Sequence, residues 1–323
     1  MGLILKKCAK IPFLFLIFLL WACSALPEGA PDQISGDIII DGSSTVYPIT
    51  VAVAEEFANE GTKARISVGM SGTGGGFKKF CLGETDINNA SRPVKQSEIE
   101  LCQQFGVEYK EFVVAIDGMT VVVNPNNTWL THLTIDQLGK LFGGSSKVKL
   151  WSDLDPKYPN KEVLFFIPDP DSGTRDFMGE VVKTTTGGTE LRQDENTSFS
   201  SDDNSLLDGL AHETYAIGFF GYAYYLNNKT SIRAIPIENS EGDIVFPSEI
   251  SITDGNYNPL SRPLFIYVNT SSIIAKPQVA AFLEFYFGEW GAPGIMSSVG
   301  YSLPPVGSFE SYLAYLDALG TNR

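Results

Sequence analysis

Apolar and polar positions along this chain fall into a recurring order of short strand, small-residue loop and helix. Asp37 to Ile40 reads as an apolar strand running into the turn Asp41-Gly42-Ser43-Ser44-Thr45, after which Ile49, Val53 and Phe57 recur at helical spacing. Arg65 to Met70 alternates as a half-buried strand does. Ser71-Gly72-Thr73-Gly74-Gly75-Gly76 follows as a glycine loop, and Phe77, Phe80 and Cys81 open another apolar helix face. Val163 to Pro168, the loop Asp169-Pro170-Asp171-Ser172-Gly173-Thr174 and the face Phe177, Met178, Val181 and Val182 repeat the same grammar. Strands alternating with helices, without an internal repeat, predict an α/β fold.

Ser97-x-x-Glu100 and Thr134-x-x-Gln137 each precede apolar residues and read as capping boxes that open peripheral helices. Phe112 to Ile116 and Met119 to Val123 flank Asp117-Gly118, and Leu264 to Val268 is a late strand. These segments place crossings between two lobes near 117–119 and 262–265, with residues 36–117 plus 265–323 in one lobe and 118–264 in the other. Tyr222, Tyr224, Tyr225 and Phe265 to Tyr267 sit in predicted strands, so their expected role is core packing.

The first residues change the picture from a plain globular chain to an exported one. Lys6, Lys7 and Lys10 precede the uncharged apolar stretch Ile11 to Ala22, which predicts a signal peptide over 1–22. Leu20-Trp21-Ala22-Cys23 looks like a bacterial lipobox, with Cys23 as the lipidated residue and a lipid anchor in the membrane; ordinary secretion with a free Cys23 is the alternative. Residues 23–35 read as a flexible tether. Export predicts a periplasmic or cell-surface location, in which Cys81 and Cys102, on neighbouring predicted helices, read as a disulfide; two buried thiols are the alternative. The net charge of −15 makes nucleic acid a poor partner.

The chemistry lies in the three loops. A strand, a loop of hydroxyl and glycine residues and then a helix presents free backbone N–H groups and the positive end of a helix dipole to an anion. Thr45, Thr73, Ser172 and Thr174 can add hydroxyls, while Val46, Gly74 and Gly173 supply amides. For a single loop the plainer reading is an N-cap; three together, none carrying a lysine, point to an oxyanion cage. A nucleotide-binding P-loop needs Gly-Lys-Ser/Thr, and Lys78 and Lys79 come too late. Arg92, beside Ser91, is the first choice for the cage's cation and Arg175 the second, with surface ion pairs as the alternative. A hydrolase is a poor fit: the two histidines, His132 and His212, lie far in sequence from any candidate nucleophile, and no metal-ligand spacing stands out.

Read in order, these loops resemble the periplasmic phosphate-binding proteins of bacterial phosphate ABC transporters, the PstS family and its SphX-like branch. The resemblance rests on D-G-S-S-T-V-Y-P at 41–48, S-G-T-G-G-G-F at 71–77, G-E-T-D-I-N-N-A-S-R-P at 83–93 and D-S-G-T at 171–174. S-D-D-N at 201–204, G-F-F-G-Y-A-Y-Y at 218–225 and P-L-S-R-P-L-F-I-Y-V at 259–268 extend it. It implies a type II periplasmic binding fold, two α/β lobes joined by two crossover strands, with the ligand in a cleft between them. It implies a monomeric receptor that is no enzyme, carries no cofactor, and passes inorganic phosphate to an inner-membrane ABC permease. Sulfate or molybdate is the alternative ligand and a secreted phosphatase the alternative class. Position by position it points to Ser44, Thr45 and Val46, to Thr73 and Gly74, to Ser91 and Arg92, and to Ser172, Gly173 and Thr174. Many members have an arginine where this chain has Pro168, and an aspartate that accepts the ligand's proton where it has Ser91. Asp171, Asp41 and Asp86 are the candidates for that acceptor, Asp171 being the one placed in the site.

Overall fold

The computed structural model describes residues 34–170 and 172–320, so the expected signal peptide, Cys23 and Asp171 lie outside the described residues. The strands are β1 (Ser35–Gly42), β2 (Lys63–Val68), β3 (Ile87–Ala90), β4 (Tyr109–Val123), β5 (Leu164–Pro168), β6 (Thr197–Ser200), β7 (Ala216–Gly221), β8 (Arg233–Ala234), β9 (Ile237–Glu238), β10 (Ile244–Val245) and β11 (Ser261–Asn269). The helices up to β7 are α1 (Tyr47–Asn59), α2 (Gly72–Cys81), α3 (Gln96–Gln104), α4 (Ile135–Phe142), α5 (Trp151–Leu154), α6 (Gly173–Thr186) and α7 (Asp203–His212). After it come α8 (Tyr222–Asn228), α9 (Glu249–Thr253), α10 (Thr270–Ala275), α11 (Pro277–Phe287), α12 (Ala292–Val299) and α13 (Ser308–Ala318).

The main sheet has the order β2-β1-β3-β11-β4-β7-β5-β6, with β8 beside β4; β9 and β10 form a separate antiparallel pair. β1 pairs in parallel with β2 and β3, and β5 with β6 and β7, whereas β11 runs antiparallel to both β3 and β4. The two parallel stretches put the carboxyl ends of β1 and β5 against the starts of α1 and α6, where open α/β sheets hold their ligands.

Two large apolar cores sit on this sheet. One is drawn from Ile38 to Ala115 and again from Leu264 to Leu316, with Ile49, Val53, Phe112, Phe282 and Tyr286 at its centre. The other is drawn from Ile116 to Leu260, with Val121, Leu138, Phe142, Trp151, Phe165 and Phe219. β4 is one unbroken strand of 15 residues: Tyr109 to Gly118 pair with β11, and Met119 to Val123 pair with β7. The Asp117-Gly118 step, near which a crossing between lobes was expected, is therefore strand. Gly118 is there because a Cβ would come within 2.6 Å of Ile252 on α9.

A smaller core of Phe77, Phe80, Ala90, Phe265 and Tyr267 encloses the Cys81–Cys102 disulfide, which ties the end of α2 to α3. Closing a loop with a sequence separation of 21 stabilises the fold by about 3 kcal/mol on the chain-entropy model.

Three local expectations are adjusted. The Thr134–Gln137 capping box forms, each side chain holding the other's backbone N–H at 3.1 and 3.0 Å. The box expected at Ser97 and Glu100 does not open α3: the helix starts after Lys95, whose N–H is held by Glu98 at 2.8 Å. Tyr222, Tyr224 and Tyr225 lie on α8 and not in a strand; Tyr222 and Tyr225 are buried in the second core as expected, while Tyr224 is only partly covered. β1 also opens at Ser35, one residue inside the stretch read as tether, and Ile34 already accepts the Lys63 N–H at 2.8 Å.

Candidate functional site

The starts of α1 and α6, one from each large core, meet across a cavity of about 250 Å³. Ser44, Thr45, Gly173 and Thr174 line it, together with Asp117, Asp203, Tyr224 and Tyr301. The approach is close: a Cβ on Gly173 would stand 2.9 Å from Thr45 Oγ1 and 3.5 Å from Thr45 Cα. At α6, Ser172 is the N-cap and its hydroxyl accepts the Arg175 N–H at 3.4 Å. Gly173 and Thr174 occupy the first two helical positions, whose N–H groups have no intrahelical acceptor. Val46 holds the equivalent place before α1 and is fully buried.

Thr45 is fixed from three sides. Its N–H donates to Ser43 Oγ at 3.2 Å, its carbonyl accepts from Tyr301 Oη at 2.7 Å, and its Oγ1 accepts from Arg262 Nη2 at 3.2 Å. Because the guanidinium occupies the acceptor side of that hydroxyl, its own proton is left to point elsewhere. Arg262 is 9% exposed and stacks 3.9 Å from the Phe177 ring centroid; Nε donates to Asp117 at 3.2 Å and Nη1 to Glu180 at 2.9 Å. Burial pushes the Asp117 carboxyl up, against the pull of Arg262.

A second group gathers at the start of α2. Ser91 N–H donates to Thr73 Oγ1 at 3.1 Å, and the two hydroxyls are 3.1 Å apart. A Cβ on Gly74 would lie 3.6 Å from Arg92 Nη2. Arg92 grips Glu98 with two bonds of 2.9 and 2.7 Å, and this partner holds its pKa above the ordinary value. Thr73, Gly74, Ser91 and Arg92 are thus brought together, but they do not line the cavity between α1 and α6. Arg175, the second choice for a cation, is 7% exposed, donates to Pro168 O at 3.0 Å and faces Phe199.

Asp41 links the two groups. Its carboxylate accepts from Gly42 N–H at 2.7 Å, Ser71 N–H at 2.9 Å and Ser71 Oγ at 2.8 Å, and pairs with Lys79. Burial raises its pKa, but Lys79 and the Ser71 donors outweigh that and hold it at about 2. A folded-state pKa below the unfolded one gives stability that is present above the unfolded value of 3.8 and lost as pH falls toward 2. Thermal melts of wild type and Asp41→Asn should therefore differ at pH 6 and converge by pH 2. A constant gap would contradict this role. Asp86 is similarly occupied, by Ile39 N–H at 3.0 Å, Ser272 Oγ at 2.7 Å and Lys276 Nζ at 2.6 Å. Neither Asp41 nor Asp86 lines the cavity.

Sequence reasoning missed Arg262, Asp117 and Glu180. The available signal was a single charge inside an apolar run, Arg262 before Leu264 to Val268 and Asp117 between two such runs. A shallower depression of about 680 Å³ beside Lys140, Lys147 and Thr185 has no comparable meeting of helix starts. Among the described residues no group of three or more His, Cys, Asp or Glu could hold a metal ion, and no helix is long and apolar enough to cross a membrane.

The curled sheet with two cores and a cleft of helix starts is a type II periplasmic binding fold. A family model described as a PBP superfamily domain matches residues 28–289. Protein SphX of Synechocystis is 38% identical over 293 residues, covering 90% of this chain and 83% of its own length. The phosphate-binding protein PstS of Staphylococcus saprophyticus is 36% identical, covering 84% of this chain and 82% of its own. The crystal structure of a possible phosphate-binding protein from Planctomyces limnophilus superposes with a TM-score of 0.82 at 40% identity, over 88% of this chain and 99% of that one. The chain belongs to the PBP superfamily, in the family of SphX and PstS.

Proposed function

We propose that this protein is an extracytoplasmic receptor, and not an enzyme, that captures inorganic phosphate between its two cores and delivers it to an ABC-type permease. The observation that carries this reading is the contact of Gly173 with Thr45, which brings two helix starts from separate cores onto one small cavity. The proposed donors are Ser44, Thr45 and Val46 at the start of α1 and Ser172, Gly173 and Thr174 at the start of α6; Thr73, Gly74, Ser91 and Arg92, expected from the sequence to join them, form the separate group at the start of α2 and do not line this cavity. In this reading 36–117 plus 265–323 and 118–264 are the closing lobes, Cys23 carries the lipid anchor, and the protein is a monomer.

Tight capture of so small an ion is physically reasonable. About five heavy atoms at the ceiling of roughly −1.5 kcal/mol each give about −7.5 kcal/mol, close to micromolar. His132 and His212 do not line the cavity, so no histidine stands beside its serine to act as base among the described residues. Calorimetric titration of the protein with phosphate tests the proposal: micromolar or tighter binding is expected, and absence of binding, or displacement of phosphate by equal sulfate, overturns it.

A further inference from the structure

Beside the cavity between the helix starts lies a larger one of about 440 Å³, lined by Tyr222 and Leu226 of α8, Pro293 and Met296 of α12, and Leu303. Three residues line both: Ala223, Gly300 and Tyr301. Ala223 and Gly300 face each other closely, a Cβ on Gly300 standing 3.6 Å from the Ala223 Cβ, but neither has a side chain large enough to divide the two spaces. Tyr301 has one, and it is held at three points. Its N–H donates to Met296 O at 3.2 Å where α12 ends, and Ser302 beside it exchanges two backbone hydrogen bonds with Ile116 of β4, at 2.9 and 3.0 Å. At the far end of the ring, Oη donates to Thr45 O at 2.7 Å. A ring tied down at both its backbone and its hydroxyl swings aside only by giving up the bond to Thr45, next to the start of α1.

We infer that Tyr301 is the partition that restricts this site to bare phosphate and shuts out phosphate monoesters. The inference rests on the phosphate reading above and names the residue that sets the size of the ligand. Esterification leaves all but one of the phosphate oxygens free, so the anionic end of an ester could meet the same helix starts. Its organic group needs room beyond them, and that room lies on the other side of Tyr301, where Leu226, Pro293, Met296 and Leu303 offer an apolar lining. With the ring in place the organic group runs into a clamped side chain, and overpacking against a group that cannot yield is costly. The hydroxyl has a separate task. Its bond fixes the Thr45 carbonyl, and with it the backbone that leads into α1, so losing the bond weakens capture of any anion without opening the wall.

Calorimetric titration of the whole protein with phosphate and with phenyl phosphate tests this. Wild type is expected to prefer phosphate by roughly 100-fold or more. Tyr301→Ala joins the two cavities, and phenyl phosphate should gain roughly 100-fold on phosphate. Tyr301→Phe keeps the wall and loses the bond to Thr45, so phosphate should weaken by roughly 2- to 10-fold while the preference over the ester stays as in wild type. The ratio of the two affinities is the deciding readout, since general damage to the fold weakens both ligands alike. A folded Tyr301→Ala protein that keeps the wild-type ratio overturns the inference and leaves the phosphate reading standing, as does a wild type that binds both ligands equally. A wild type that binds no phosphate takes both down. Tyr301 also packs against the first core, so if Tyr301→Ala does not fold, Tyr301→Leu is read in its place: a gain for phenyl phosphate supports the partition, and an unchanged ratio overturns it.

Discussion

Arg262→Met is expected to cost about 3–5 kcal/mol of folding stability, because it leaves the buried Asp117 carboxylate without its counter-charge. The side chain is 10% exposed and holds Asp117, Glu180 and Thr45 at once, so three elements lose a common anchor. Phosphate affinity should fall with it, since Thr45 Oγ1 loses the donor that orients its hydroxyl. Arg262→Lys should recover only part of both, as an ammonium lacks the planar fork that serves three acceptors and stacks on Phe177. Urea unfolding and calorimetry measure the two effects separately. Adding Asp117→Leu to Arg262→Met should restore stability and not binding, because an apolar pair carries no desolvation penalty. An Arg262→Met protein as stable as wild type would mean that the carboxylate is not held as described.

The second large effect is expected at Gly173. Valine there has to place its Cβ 2.9 Å from Thr45 Oγ1, and its γ-methyls extend further into the same gap. Overpacking of this kind costs roughly 1–3 kcal/mol, which at 1.4 kcal/mol per tenfold is up to roughly 100-fold in affinity. Folding stability should hardly change, since Gly173 is the first residue of α6 and needs no positive φ. Gly173→Ala is the milder form of the same test. Calorimetry beside thermal melts reads the split; undiminished affinity in Gly173→Val would sink the proposed closure of the two helix starts on the ligand.

Local signals carried most of the architecture. The helix starts that follow 41–45 and Ser172 could be read because small residues after an apolar run say on their own that a helix start is exposed, whereas the glycine stretch read as a loop at 71–76 is already helix from Gly72 onward. Thr134 and Gln137 were legible as a cap for the same reason, their partners being three residues apart. Glu98 was not, because its carboxylate serves both the Lys95 N–H and Arg92, and nothing local separates it from Glu100. The tyrosines at 222–225 were placed in a strand because aromatic runs favour strands; β7 ends at Gly221 and a helix begins.

The pair that shapes the cavity was out of reach for a different reason. Asp117 and Arg262 are separated by 145 positions and become neighbours only through the register of β4 on β11, in which they stand directly opposite. A lone acid and a lone base in separate apolar runs each lay near an expected crossing between lobes, with nothing local to pair them. Together they form a cross-strand pair of opposite charge, which is what lets both strands continue without a break.

That continuity has a mechanical consequence. β4 and β11 form an antiparallel ribbon from Tyr109 to Gly118, with one irregularity between Leu264 and Phe265, and no loose joint interrupts β4 between the two cores. Any gaping of the mouth must be stored as torsion along this ribbon, like the winding of a spring. The cost of that twist falls on the open form, so stiffening the ribbon should favour the closed form and slow discharge of the cargo.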